Sequence, residues 1–532
     1  MLRRFDDYET TRDRFAWNVP KRFNIGVAVS DKVARKTPDA LALIDVTGDG
    51  QARKFTFGQL SGLSNRFANL LSEDLGQGDR IGVLLPQQVE VALAHIAAFK
   101  LGAISIPLFT QFGPDALRHR LKDSGAKVVV TDPDGAAIIA RMSADLPELV
   151  RVIEVGRDFD LRLANQSSEF TSADTAADDP ALIIYTSGTT GAPKGALHAH
   201  RVLLGHLPGV EMSHDFFPQP GDLIWTPADW AWIGGLLDVL LPALYHGVPV
   251  VACRFDKFTA DAAFDLIERF GIRNAFMPPT ALKMMRVAAT GRQVPMRSVA
   301  SGGETLGASL LDWGRDTFGV TINEFYGQTE CNMIVSSCAA IAPAEPGVMG
   351  WPVPGHRVAV LDGADRATGE GDIAVAAPDP VMFLRYWNNP EATETKFRTG
   401  PDGTRWMLTG DRGEVMPSGR IRFVGRDDDV ISSAGYRIGP AEIEDCLCTH
   451  PAVAMAGVVG VPDETRGQVV AACVVLADGV EETDTLLSEL VAHVRARLAP
   501  YEAPRRIHVM EALPMTTTGK IRRKVLREIF DG

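Results

Sequence analysis

A chain of 532 residues is longer than one hydrophobic core ordinarily serves, so two or more domains are expected. Hydrophobic residues at 45% and charged residues at 23% describe a globular protein of enzyme size. With 54 Lys and Arg against 67 Asp and Glu the net charge is −13, which argues against a general binder of nucleic acid or membrane surfaces and leaves room for a local basic patch.

The six cysteines follow no disulfide or zinc spacing, and Cys446, Cys448 and His450 sit in a stretch that reads as helix, where packing is the plainer role. No apolar run is long enough to span a bilayer, and Arg3-Arg4 is followed by acidic residues instead of an apolar segment. A cytoplasmic location without stable membrane insertion is the default expectation, and homo-oligomerisation stays open.

Residues up to about Asn24 are charged and aromatic and are expected to wrap the following domain. Ile25, Val27 and Val29 begin an apolar face. Phe55–Phe57 leads into a helix over Leu60–Leu71, and Ile81–Leu85 reads as a short buried strand. Val89–Lys100 is an apolar helix stopped by Gly102. Strands follow at Ile104–Leu108, Val128–Val130 and Val150–Val155. Helices interleaved with such strands imply an α/β fold with largely parallel sheets.

A polar stretch, Ser167–Asp179, precedes the apolar run Ala181–Ile184. That run feeds into Tyr185–Gly195, which holds Thr186, Ser187, Gly188, Thr189, Thr190 and Lys194. A buried strand ending in such a loop suits polyphosphate. Glycines let backbone N–H groups approach, hydroxyls donate, and a lysine adds charge. The loop is not a Walker A motif, whose spacing cannot be laid over Gly188–Gly195.

Further on, Trp225, Trp230 and Trp232 with the Gly234-Gly235 pair read as a pocket wall more readily than as plain core. Val248–Ala252 and Ala275–Thr280 look like strand and loop. Val299–Glu304 is a strand running into Gly302 and Gly303. Ile322–Glu330 is another, ending in Glu324, Phe325, Tyr326, Gly327, Gln328, Thr329 and Glu330. Ligands collect at the carboxyl ends of strands in α/β sheets, so both ends and the loop can face one cleft. Trp406–Gly413 ends a strand on Asp411, and Phe423–Asp429 places Arg426 before three acids. Beyond them, about a hundred residues fit an independent α+β domain, with one helix from near Ala441 and another over Leu486–Leu498. The chain closes with Leu513–Arg523, containing Gly519 and Lys520.

Taken in order, these blocks resemble the signature motifs of the adenylate-forming enzymes, the superfamily of acyl-CoA synthetases, adenylation domains and luciferases. The resemblance spans nearly the whole chain and is nearest to short- and medium-chain acyl-CoA synthetases. It implies a large N-terminal domain of mixed and parallel sheets over residues 1–427. A small mobile α+β domain over 428–532 would turn about a hinge at Asp428. It implies ATP, Mg²⁺ and coenzyme A acting on a carboxylic acid to give an acyl-adenylate and then an acyl-CoA.

By the same resemblance the 186–194 loop binds phosphate, and Gly302, Gly303 and Glu304 the adenine. Residues 324–329 flank the nucleotide, with Tyr326 on the adenine and Thr329 on a phosphate. Glu330 holds the metal, Asp411 and Arg426 hold the ribose, and Arg437 also binds nucleotide. Gly435 and Tyr436 serve coenzyme A after rotation. Trp230, Trp232, Gly302 and Gly327 line the acyl pocket. Lys520, with Thr186 and Glu330, is catalytic.

Position 327 is where acetyl-CoA synthetases carry a tryptophan, so Gly327 implies an acid larger than acetate: straight or branched, aryl, or a thioether acid such as methylmercaptopropionate. Cys331 and Asn332 depart from the small residues common after the glutamate. The alternative within the fold is an enzyme loading a carrier protein. A luciferase-like monooxygenase has no supporting feature, and intact Lys194, Glu330, Asp411, Arg426 and Lys520 argue against a non-catalytic relative.

Overall fold

The computed structural model describes residues 1–186, 193–255, 257–288, 291–426, 429–433, 436–463, 466–498, 502–516 and 520–530, with the side chains of Arg426, Ser432, Tyr436, Arg437 and Glu442 left aside. Three sheets organise it.

A seven-stranded sheet has the order Arg385–Tyr386, Gly195–Ala199, Pro180–Tyr185, Ile104–Pro107, Arg80–Leu84, Val128–Thr131, Arg151–Glu154. Its last five strands are parallel. The helices between them cover its faces, as parallel strands buried on both sides require. Phe57–Leu71 starts with a capping box between Thr56 and Gln59, and Val89–Leu101 stops where Gly102 takes a left-handed φ of 75°. The latter helix is buried nearly all round, which is why its sequence shows no polar stripe.

The second sheet is mixed. Leu41–Val46, Val250–Cys253, Ile224–Trp225, Asn274–Phe276, Ser298–Gly302 and Ile322–Gln328 run parallel. From Ile322–Gln328 the sheet turns antiparallel through Cys331–Ser336, Val348–Pro352, Ile421–Arg426 and Arg405–Val415. The third sheet is the small C-terminal one, built on the long antiparallel pair Val453–Asp463 and Gly467–Leu476, with helices Pro440–Cys448 and Asp484–Arg497 supplying its core.

The N-terminal stretch lies across the antiparallel strands. Tyr8 stacks on Trp351 at 5.0 Å and donates to the Pro352 carbonyl, and the Trp17 indole donates to the Gly355 carbonyl. The apolar face that begins at Ile25, Val27 and Val29 runs into the wide helical turn Val27–Asp31, which buries Ala28 and Val29. One local expectation shifts. Pro279 and Thr280 open the helix Pro279–Ala288, where a proline costs nothing because the first N–H needs no helical partner. Cys446 is buried and Cys448 partly so, and no group of three metal-ligating side chains occurs among the described residues. No described helix is long and apolar enough to cross a membrane.

Candidate active site

The strand Pro180–Tyr185 pairs antiparallel with Gly195–Ala199, so the hydroxyl-rich loop is the connection of a hairpin. Its base is closed by the Thr186 N–H donating to the Lys194 carbonyl at 2.9 Å. Ser187, Gly188, Thr189 and Thr190 lie outside the described residues. The Lys194 ammonium stands 5.2 Å from the centre of the Tyr386 ring, a cation–π distance.

Beside the hairpin, Ser298–Gly302 and Ile322–Gln328 end together, with Gly302 opposite Phe325. Gly302 is required by its neighbour, since a Cβ there would sit 2.7 Å from Phe325 Cε2. The Phe325 ring in turn meets Phe276 at 5.2 Å. Gly303 has φ +104°, a backbone that glycine alone adopts without strain, and a Cβ on it would lie 3.8 Å from Cε of Lys520. The small domain thus delivers Lys520 to the strand ends. The Lys520 N–H donates to Thr516 Oγ1, and the Thr516 N–H donates to the Lys520 carbonyl, so a short loop presents it.

Glu304 is partly buried and pairs with Lys283 at 3.1 Å. Glu324 is buried, and burial pushes its carboxyl up to about 8 although it accepts from the Leu306 N–H at 3.0 Å. Its side chain therefore braces the 303–306 turn from behind.

Tyr326 donates to Asp411 Oδ2 at 2.5 Å, and Gln328 donates to the Thr409 carbonyl while accepting from Lys396. Thr329 is partly buried at the turn that follows. Glu330 is buried and accepts from the Tyr386 hydroxyl, and its carbonyl accepts from the Phe383 N–H. Asp411 lies opposite Arg426 in register. Contacts thus link the strand ends to Lys520 on one side and, through Tyr326, to the Asp411 carboxylate on the other.

The tryptophans divide. Trp225 and Trp230 are fully buried core residues, whereas Trp232 is partly exposed and meets Phe109 at 5.5 Å and Phe112 at 5.7 Å. Trp230 is therefore enclosed, and Trp232 is the partly exposed member of the three. Gly327 departs from expectation. A Cβ there would come within 2.5 Å of Asn332 Cα and Met333 N, so the space is filled by main chain and is not an opening. Asp428 and Gly435 lie outside the described residues. Tyr436 and Arg437 are in the strand Tyr436–Ile438, opposite Ser433 and Ser432.

Sequence reasoning missed Tyr386, Lys396, Lys283 and Asp238. Each sits where the local pattern is ordinary, and each acquires its neighbours from a segment distant in sequence or from another element.

With the geometry in place, comparison with known proteins agrees. The AMP-binding enzyme family model matches residues 30–387, and the AMP-binding enzyme C-terminal domain matches 442–520. An acetyl-coenzyme A synthetase of Bacillus subtilis is 32% identical over 98% of this chain and 94% of its own. The crystal structure of a Brucella canis acyl-CoA synthetase is 32% identical with a TM-score of 0.75, covering 99% of both chains. The anthranilate CoA ligase AuaEII, solved with anthranoyl-AMP, is 26% identical with a TM-score of 0.87 over 96% of this chain and 98% of its own. The chain belongs to the AMP-binding enzyme family and is an AMP-forming acyl- or aryl-CoA ligase.

Proposed function

We propose that the enzyme activates a carboxylic acid larger than acetate, passing it through an acyl-adenylate to coenzyme A. The observation that carries this is the wall beyond the lysine. Phe276 and Phe325 meet at 5.2 Å and pack against Gly302 and Gly234. An apolar aromatic lining suits an alkyl chain or ring. The crystallographic relative carrying anthranoyl-AMP is consistent with a ring-sized acyl group.

In this reading the acid's carboxylate attacks the α-phosphorus of ATP, forming a carbon–oxygen–phosphorus link as pyrophosphate leaves. The coenzyme A thiol then attacks the acyl carbon, and AMP departs with the adenylate oxygen. Two anions meet in the first step, and Lys520, held beside Gly303, offsets the charge that develops on the phosphoryl oxygens. Asp411 receives the ribose hydroxyls, with Arg426 on the strand beside it. The 186–194 hairpin covers the phosphates, and the 302–304 turn with Tyr326 flanks the adenine.

Mg²⁺ fits here only in part through the protein. Glu330 would be the carboxylate that holds it, one of its oxygens is engaged by Tyr386, and the described residues form no three-ligand cluster. The ion would therefore enter with the triphosphate, phosphate oxygens and water completing its shell, and when bound it neutralises phosphate charge. Rotation of residues 428–532 about Asp428 then withdraws Lys520 and brings Gly435 and Tyr436 to the cleft. Both domain boundary and hinge belong to this proposal.

The test is nucleotide product analysis with acids from C2 to C10, aryl acids and thioether acids, with and without coenzyme A. AMP and pyrophosphate appearing only with acid, and turning over only with coenzyme A, are expected, with acetate among the poorer substrates. Acid-dependent pyrophosphate exchange without coenzyme A turnover would point to a carrier-bound thiol instead. Acetate as the best substrate would end the size assignment.

A further inference from the structure

At the far end of the aromatic wall lies a polar pair that the reaction does not use. Asn332 donates its amide to both carboxylate oxygens of Asp238, at 2.8 and 3.0 Å, and both residues are buried. Asp238 sits on the wide helical turn Leu236–Leu240, a geometry that often marks a functional site.

Contacts connect this pair to the reaction centre. Lys520 stands by Gly303, Gly302 packs on Phe325, and Phe325 meets Phe276. A Cβ on Gly234 would lie 2.8 Å from Phe276 and 3.6 Å from Asp238 Oδ2. On the other side, a Cβ on Gly327 would lie 2.6 Å from Asn332 Oδ1. Gly234 and Gly327, both partly exposed, thus adjoin the pair, the first beside the carboxylate and the second beside the amide.

A buried carboxylate is costly unless donors satisfy it, and its two oxygens can accept about four hydrogen bonds. Among the described residues no lysine or arginine lies within ion-pair distance of Asp238, and Asn332 is its hydrogen-bond donor. The neighbouring His206 does not make up the deficit. Its Nδ1 is taken by the Val202 carbonyl, and its Nε2, 3.8 Å from Asp238 Oδ1, is buried without a hydrogen-bond partner. Burial pushes the Asp238 carboxyl well above the usual carboxylate range. A strut between helix and strand would be built more cheaply from apolar side chains. Asn332 thus satisfies only part of the carboxyl, and a further donor can come with the substrate.

We propose that Asp238 and Asn332 form the specificity floor of the acyl pocket. The acid activated there carries a hydrogen-bond donor, an amino or hydroxyl group, at the end remote from its carboxylate. This rests on the ligase reading above and narrows its substrate class.

The test compares kcat/KM for AMP formation, with ATP and coenzyme A, within matched pairs of acids. Straight-chain C4 to C8 acids are set against their terminal amino and hydroxy analogues, and benzoate against its amino- and hydroxybenzoates. The wild-type enzyme is expected to favour the donor-bearing member of at least one pair by about a hundredfold, and the amino and hydroxy arms tell which donor it reads. Asp238→Asn, close in size, and Asp238→Leu with Asn332→Leu should collapse or invert that ratio. Preference for the hydrocarbon member in every pair would overturn the proposal, as would an unchanged ratio in Asp238→Asn. The wild-type ratios decide even where the double variant does not fold. AMP from no acid at all would refute the ligase reading, whereas AMP formation indifferent to the donor would refute only this inference.

Discussion

The Tyr326 hydroxyl and the Asp411 carboxylate meet at 2.5 Å across two strands, Ile322–Gln328 and Arg405–Val415, that are far apart in sequence. This bond sets the orientation of the carboxylate proposed for the ribose before any nucleotide arrives. Burial and the nearby Asp411 charge both hold the phenol in its protonated, donating form.

Tyr326→Phe is therefore expected to raise KM for ATP about tenfold, the usual worth of one hydrogen bond to a charged group, with a smaller effect on kcat. ATP titrations of acid-dependent pyrophosphate release measure it. An unchanged KM would mean that Asp411 is oriented by other contacts.

Lys520 reaches the strand ends from the opposite domain, with Cε near Gly303. Lys520→Ala should lower acyl-adenylate formation by about two to three orders of magnitude, the scale of losing one preorganised charge-stabilising group. Thioester formation from a supplied acyl-adenylate should stay largely intact. Assaying the half-reactions separately decides the matter, and equal loss in both would sink the alternation of the small domain.

Gly327 is enclosed by the main chain of Asn332 and Met333 at 2.5 Å. A side chain there displaces backbone, so Gly327→Trp should cost about 1–3 kcal/mol of stability or more, the ordinary penalty of overpacking. Thermal melts and activity on acetate are the checks. A variant as stable as the parent, with preference shifted to acetate, would show that the 332–333 segment yields easily.

Five buried histidines should make the protein acid-sensitive. Burial holds His95, His198 and His214 at about 3, and His200 and His206 at about 4. Unfolding frees each to bind a proton below its ordinary 6.5. Stability should fall as pH drops from 6.5 toward 4, on the order of 1.4 kcal/mol per pH unit for each histidine.

The buried acids act in the opposite sense. Glu324 at about 8 and Asp229 at about 6 keep protons in the fold that the unfolded chain has released, so their contribution is lost as pH rises through those values. Asp238, raised as well, has the same sign. Asp45 and Glu90, also raised by burial, act in the same sense as these acids. The histidines contribute their loss below pH 6.5 and only acids remain above it, which puts the maximum near 6.5. Urea midpoints from pH 4.5 to 8.5 test it, and a monotonic rise to pH 8.5 would contradict the assignment.

The segments proposed for the site stood out along the chain because their patterns are local. The hairpin loop at 186–194, the strand end at 322–330 and the closing turn before Lys520 each combine glycine, hydroxyl and charge within a few residues, and local chemistry leaves a local pattern. The α/β class was readable for the same reason, since the spacing of apolar residues reports which face of a helix or strand is buried.

What the tertiary structure alone decided are relationships between segments. Trp225 and Trp230 read like Trp232, yet Trp225 and Trp230 are enclosed and Trp232 is partly exposed, because packing across the sheet determines which ring is covered. Gly327 looked like an absent wall, but the bend at Met333 brings the next strand into its space. Tyr386 reaches Glu330, and Asp238 reaches Asn332, through sheet and helix packing that no spacing encodes. Composition and periodicity determine which elements form. Which side chains end up within 3 Å of each other is settled by close packing among elements distant in sequence.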